Sequence, residues 1–142
     1  MGYWENLIDV YESWDFDSLE DEAYALSCAV RDDIGRHYDI KDPLYGALMV
    51  AAYFMDADRF VDGAEDSIIR NLFEGQPYDL GGSTFHRKYK QGGWEPWVES
   101  YLRNCDRRAL EAALRFGMVI CASDGFIRPE ERRRILYWTE QK

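Results

Sequence analysis

Histidine is nearly missing from this chain of 142 residues: only His37 and His86 occur. Nucleophilic triads and most zinc sites need histidine, so both chemistries have little to draw on. Cysteine is also sparse. Cys28, Cys105 and Cys121 form no CxxC pair and are odd in number. Disulfide frameworks use even counts at short spacing, so the expected usage is that of a reduced, cytoplasmic protein. The opening Met1-Gly2-Tyr3-Trp4-Glu5-Asn6 has neither the basic flank nor the apolar stretch of a signal peptide. No apolar run reaches membrane-spanning length, so no membrane insertion is expected. Gly-rich phosphate loops are lacking too, because Gly81-Gly82 and Gly92-Gly93 follow no strand pattern. These absences point away from an enzyme.

What the chain has is acid. Its net charge is −10, and the placement is uneven. Residues 1–74 carry 18 acids against 5 bases, a net −13, while residues 75–142 carry 9 against 12, a net +3. A nucleic-acid partner is disfavoured, since phosphate binding needs clustered Lys and Arg. An acidic half favours cations or a basic protein surface. With 46% hydrophobic and 15% aromatic residues, the composition is that of a globular domain. The length suits one domain, 1–142.

Helical spacing and caps recur, and strand patterns are nearly absent. Leu7, Ile8, Tyr11 and Trp14 predict a first helix, and a capping box at Asp17 and Glu20 predicts a second, ending near Gly35. Asp42-Pro43 opens a third through about Asp56 that is apolar almost all round and therefore central. Asp62 and Glu65 cap a fourth through Phe73. Trp94–Asn104, Asp106–Ser123 and Pro129–Glu140 complete an all-α set of about seven helices. Between them, Gly75, Pro77, Gly81, Gly82, Gly92 and Gly93 punctuate a connection over 74–93 that is long for a compact domain.

An internal repeat runs through this order. At an offset of 66, Asp58-Arg59-Phe60-Val61-Asp62-Gly63-Ala64-Glu65 lies over Asp124-Gly125-Phe126-Ile127-Arg128-Pro129-Glu130-Glu131. The repeat units are about 43–73 and 106–140. The pattern Asp-x-Phe-[Val/Ile]-x-x-x-Glu sits between an apolar helix and an amphipathic one. Residues 124–135, with their partner at 58–69, resemble the TerB-like family, which takes in tellurite-resistance protein TerB and the N-terminal region of the co-chaperone DjlA. The resemblance covers roughly residues 40–142. It implies a helical bundle with an internal pseudo-twofold repeat, a protein-binding or scaffold role, and a bacterial or phage stress-response setting. It also implies that Asp58, Glu65, Asp124 and Glu131 hold a divalent cation, Ca²⁺ or Mg²⁺. Two departures weaken the cation reading: Arg59 replaces the usual Gly, and Arg128 stands where Ser or Asp is usual.

The residues themselves support two readings of these acids. The repeat matches the second half of an EF-hand loop, but the first half supplies Ile120 and Ala122, or Phe54 and Asp56, where calcium needs oxygen ligands. The alternative needs no metal: Glu65 and Glu131 sit in first helical turns, where the dipole favours carboxylates, and Asp58 and Asp124 close turns. Phe60, Val61, Phe126 and Ile127 would then pin each bend to the core.

The connection carries the one basic cluster with interleaved aromatics, Phe85-His86-Arg87-Lys88-Tyr89-Lys90, followed by Trp94 and Trp97. Phe85, Arg87, Lys88, Tyr89, Trp94 and Trp97 are candidate partner-binding residues, because aromatic and Arg side chains supply interface hot spots. Equally, these aromatics could pack over the helices. Arg132-Arg133-Arg134 reads as a solvated face with Glu130 and Arg134 paired at i,i+4. Two functional expectations follow: a protein-binding TerB-like module, or an acidic inhibitor that blocks a basic surface on its target.

Overall fold

The computed structural model of the protein describes residues 2–40, 42–55, 63–72 (backbone alone for 63–66) and 89–140. Among them there is no strand. Seven α-helices follow in order among the described residues: α1 (Tyr3–Glu12), α2 (Phe16–His37), α3 (Pro43–Met55), α4 (Gly63–Leu72), α5 (Trp94–Asn104), α6 (Arg107–Cys121) and α7 (Pro129–Thr139). A helical turn at 89–91 precedes α5, and a 3₁₀ turn, Ala122–Asp124, follows α6. The all-α expectation holds. None of the described helices is long and apolar enough to cross a membrane.

Local sequence sets most helix starts. Asp42 accepts the backbone N–H of Leu44 at 3.2 Å, with Pro43 at the first helical position of α3. Asp106 accepts from Ala109 at 2.8 Å and opens α6. The start of α2 corrects the sequence reading. Its cap is Asp15, which accepts from Ser18 at 2.8 Å, and Asp17 lies in the first turn. Starting two residues earlier lets the helix include Phe16, which packs on the core. The helix also runs through Gly35 to His37 before Tyr38 turns into extended backbone.

One apolar cluster gathers residues from all seven helices. Helix α3 is central as expected, with every residue from Gly46 to Met55 buried. It crosses α6 at Gly117, where a Cβ would come within 2.6 Å of the Phe54 ring. That small residue sets how closely the two helices approach. Helix α2 packs on both α6 and α3. On the other side, α1 lies against α6, the 3₁₀ turn and α7. Tyr11 and Glu22 bind Arg115 there: Arg115 Nε donates to the Tyr11 hydroxyl at 3.0 Å, which itself donates to Glu22 at 3.0 Å.

The offset of 66 found in the sequence carries residues of α3 onto α6 and residues of α4 onto α7. Met55, the last described residue of α3, falls on Cys121, and Gly63, the first described residue of α4, falls on Pro129. Residues 56–62, which the offset carries onto 122–128, lie outside the described residues.

Candidate functional site

The acidic bend at 122–131 is built by short-range rules. Gly125 takes a left-handed conformation (φ 91°) just after the 3₁₀ turn, where residues with a Cβ are disfavoured. Asp124 accepts the N–H of Phe126 at 3.1 Å, and its other oxygen lies 3.9 Å from the Arg128 guanidinium. Ile127 is buried, and its N–H donates to Glu12 of α1 at 2.8 Å. Arg128 provides the N-cap position of α7 by backbone alone. The cap is completed from the third helical residue: Glu131, almost wholly buried, accepts the Arg128 N–H at 3.0 Å. Asp9 of α1 meets Arg132 at 3.5 Å. The bend and the first turn of α7 are thus each tied to α1.

This arrangement corrects one expectation. Only Ile127 plugs the core, whereas Phe126 is 54% exposed. The Glu12 hydrogen bond holds the Ile127 N–H against α1 and its side chain faces inward, while Phe126 is left to solvent. Of the four candidate metal ligands, Asp124 and Glu131 are brought to this bend, each already accepting a backbone hydrogen bond. Asp58 and the side chain of Glu65 lie outside the described residues, as do Phe60 and Val61. Among the described residues no group of three His, Cys, Asp or Glu side chains is placed to hold a metal ion.

The Arg132–Arg134 run is not one solvated face. Arg133 pairs with Glu130 at 3.8 Å, and its side chain is exposed. Arg134 turns inward instead of pairing with Glu130. It donates to the Tyr53 carbonyl at 2.7 Å and lies 4.5 Å from the centre of the Tyr53 ring. That carbonyl lies near the described end of α3.

Of the candidate partner-binding residues, Tyr89 is fully buried and serves the core rather than a contact surface. Trp94 and Trp97 are half-buried in an aromatic tier across α3, α5 and the end of α2. Tyr45 meets Trp94 at 5.5 Å, Trp94 meets Trp97 at 5.2 Å, and Trp97 stacks on Tyr101 at 5.7 Å. Tyr38 closes the tier against Trp97 and Tyr101. Phe85, Arg87 and Lys88 lie outside the described residues.

Sequence reasoning missed a polar network under this tier. Buried Asp33 accepts from the Tyr101 hydroxyl at 2.8 Å, and His37, one turn on, lies 3.6 Å from its other oxygen. Burial, then the Asp33 hydrogen bond, pushes the Tyr101 hydroxyl far above its ordinary range. Asp33, His37, Tyr38 and Cys105 border a groove of about 340 Å³. Asp33 follows Arg31-Asp32 in an apparently polar run, so nothing local marks it as buried. Asp106 at the groove caps α6, and the Cys105 thiol donates to the Leu102 carbonyl at 3.6 Å.

The chain matches no protein-family model, no curated protein and no solved structure.

Proposed function

We propose that the protein is a non-enzymatic, TerB-like protein-binding module working in a bacterial or phage stress response. The observation that supports this reading is the motif repeated in the sequence at an offset of 66, which falls between α3 and α4 in its first copy and between α6 and α7 in its second. The family resemblance supplies the role. Trp94 and Trp97, half-exposed beside the basic segment containing Phe85, Arg87 and Lys88, form the proposed contact region. Tyr89 anchors it from within.

The described half of the acid set fits a cation poorly, because Asp124 and Glu131 both hold backbone amides and Arg128 stands beside Asp124. The cation is therefore an adjunct to the reading. Titration calorimetry with Ca²⁺ and Mg²⁺ tests it on the intact protein and on an Asp58→Asn/Asp124→Asn variant. Heat that disappears in the variant supports a pooled site, and equal heat or none removes it.

A second reading is favoured by the net −13 of residues 1–74: an acidic inhibitor that occupies a basic surface on its target. Capture from the native host distinguishes the two. A module that binds through 85–97 loses its partner on Arg87→Glu/Lys88→Glu and keeps it when front-half acids are reversed. An acidic inhibitor behaves the opposite way.

A further inference from the structure

We propose that the outer face of α1, together with the start of α2, is a docking site for a basic amphipathic helix of a partner protein. The inference rests on the protein-binding reading and assigns it a surface other than 85–97.

Helix α1 buries one side, through Ile8 and Tyr11, against α6, the 3₁₀ turn and α7. The neighbouring flank, roughly 100° round the helix, is also apolar. Tyr3, Val10 and Trp14 are 58%, 46% and 36% exposed, and Leu7 between them is partly buried. Steps of four and three residues put Tyr3, Leu7 and Val10 on one stripe, and Trp14 follows just past the helix end. An apolar arc that runs on past the buried side leaves apolar surface to cover.

The charge around the stripe specifies the occupant. Residues 1–30 contain eight acids and no Lys, Arg or His. Six of these acids have partners within the protein: Glu5 on Gly2, Asp9 on Arg132, Glu12 on Ile127, Asp15 on Ser18, Glu20 on Asn71, and Glu22 on Arg115. Asp17 and Asp21 remain exposed, without a partner among the described residues, and are one turn apart just beyond Trp14. The proposed surface thus joins an apolar stripe of α1 to the first turns of α2, which carry two exposed carboxylates. A helix with an apolar face and Lys or Arg at one end is its complement. Nucleic acid and anionic lipid would be repelled by the same acids. A second copy would bring acid against acid. An added strand finds no free edge, because the backbone donors of α1 serve its own helix.

The test uses a fluorescein-labelled synthetic Leu/Lys peptide that folds as an amphipathic helix, read by anisotropy. A scrambled peptide of equal composition and a Leu/Glu counterpart are the controls. Binding to the amphipathic Leu/Lys peptide is expected to weaken roughly tenfold or more in Tyr3→Ser/Val10→Ser, the size expected for losing an interface anchor. Asp17→Lys/Asp21→Lys should weaken it comparably and reduce its salt dependence. Phe126→Ser/Tyr137→Ser, at exposed aromatics elsewhere, should leave it unchanged. Circular dichroism and thermal melting confirm that each variant is folded. Unaltered affinity in the α1 and α2 variants overturns the proposal, as does equal binding of either control peptide or no binding at all. A dimer that the α1 variant dissolves would also overturn it. Loss of the host partner on changes at 85–97, with no effect of the α1 changes on host or peptide binding, sinks the α1 site while keeping the protein-binding reading.

Discussion

Gly117 shows how one missing carbon positions two central helices. Alanine normally stabilises a helix interior over glycine by roughly 1 kcal/mol. Here its Cβ would sit 2.6 Å from the Phe54 ring, so overpacking of about 1–3 kcal/mol outweighs that gain. Gly117→Ala is expected to lower the midpoint of urea unfolding, and adding Phe54→Leu should restore part of the loss. Two tyrosines make a second residue-scale prediction. Burial, with Glu22 adding to it and Arg115 opposing, pushes the Tyr11 hydroxyl from its ordinary 10 to about 12. Burial likewise raises Tyr53 to about 12, against the opposing Trp138 hydrogen bond and Arg134 charge. A folded state that holds these protons longer than the unfolded chain has its full contribution below pH 10 and loses it as pH rises toward 12. Chemical denaturation across that window should therefore give falling stability, with a shallower fall in Tyr11→Phe. At this scale the sequence was only partly legible. Glu131 as a helix-start carboxylate follows from its place in the motif, but Asp33 becomes buried only because Tyr101, far along the chain, supplies its partner.

At the scale of elements, caps and apolar periodicity carried most of the fold. Asp42, Pro43, Asp106 and Pro129 mark starts that local chemistry determines. The start of α2 was misjudged because Asp15 and Asp17 are equally good caps locally, and only the packing of Phe16 decides between them. The side-chain pairing on α7 was also misjudged. Spacing favours Glu130 with Arg134, yet the carbonyl and the ring face of Tyr53 together offer Arg134 a better site. Arg134→Ala should therefore cost about 1–2 kcal/mol in thermal or urea unfolding, since it removes a charged hydrogen bond and a ring contact. Glu130→Ala removes only an exposed pair with Arg133 and should change stability by less than about 1 kcal/mol. Equal losses in the two variants would contradict this assignment.

The whole molecule joins an acidic front half to a second half of net +3, and its sequence repeats one motif at an offset of 66. In the described copy, 122–131, a bend between two helices constrains both its acids and its apolar plug, which is why such a unit leaves a spacing signature. The surface proposed on α1 was less legible, because an exposed stripe and a buried one have the same helical period. Only the packing of Ile8 and Tyr11 tells which side faces inward. The central claim is that the bend at 56–62 repeats the one at 122–128. A solution NMR structure of the intact protein, superposing 43–72 on 109–138, tests it most directly. The account predicts Val61 inserted into the core as Ile127 is, with the Glu65 carboxylate on the Asp62 amide. Val61 facing solvent, or a bend of different backbone shape, would contradict the duplication and the family role drawn from it.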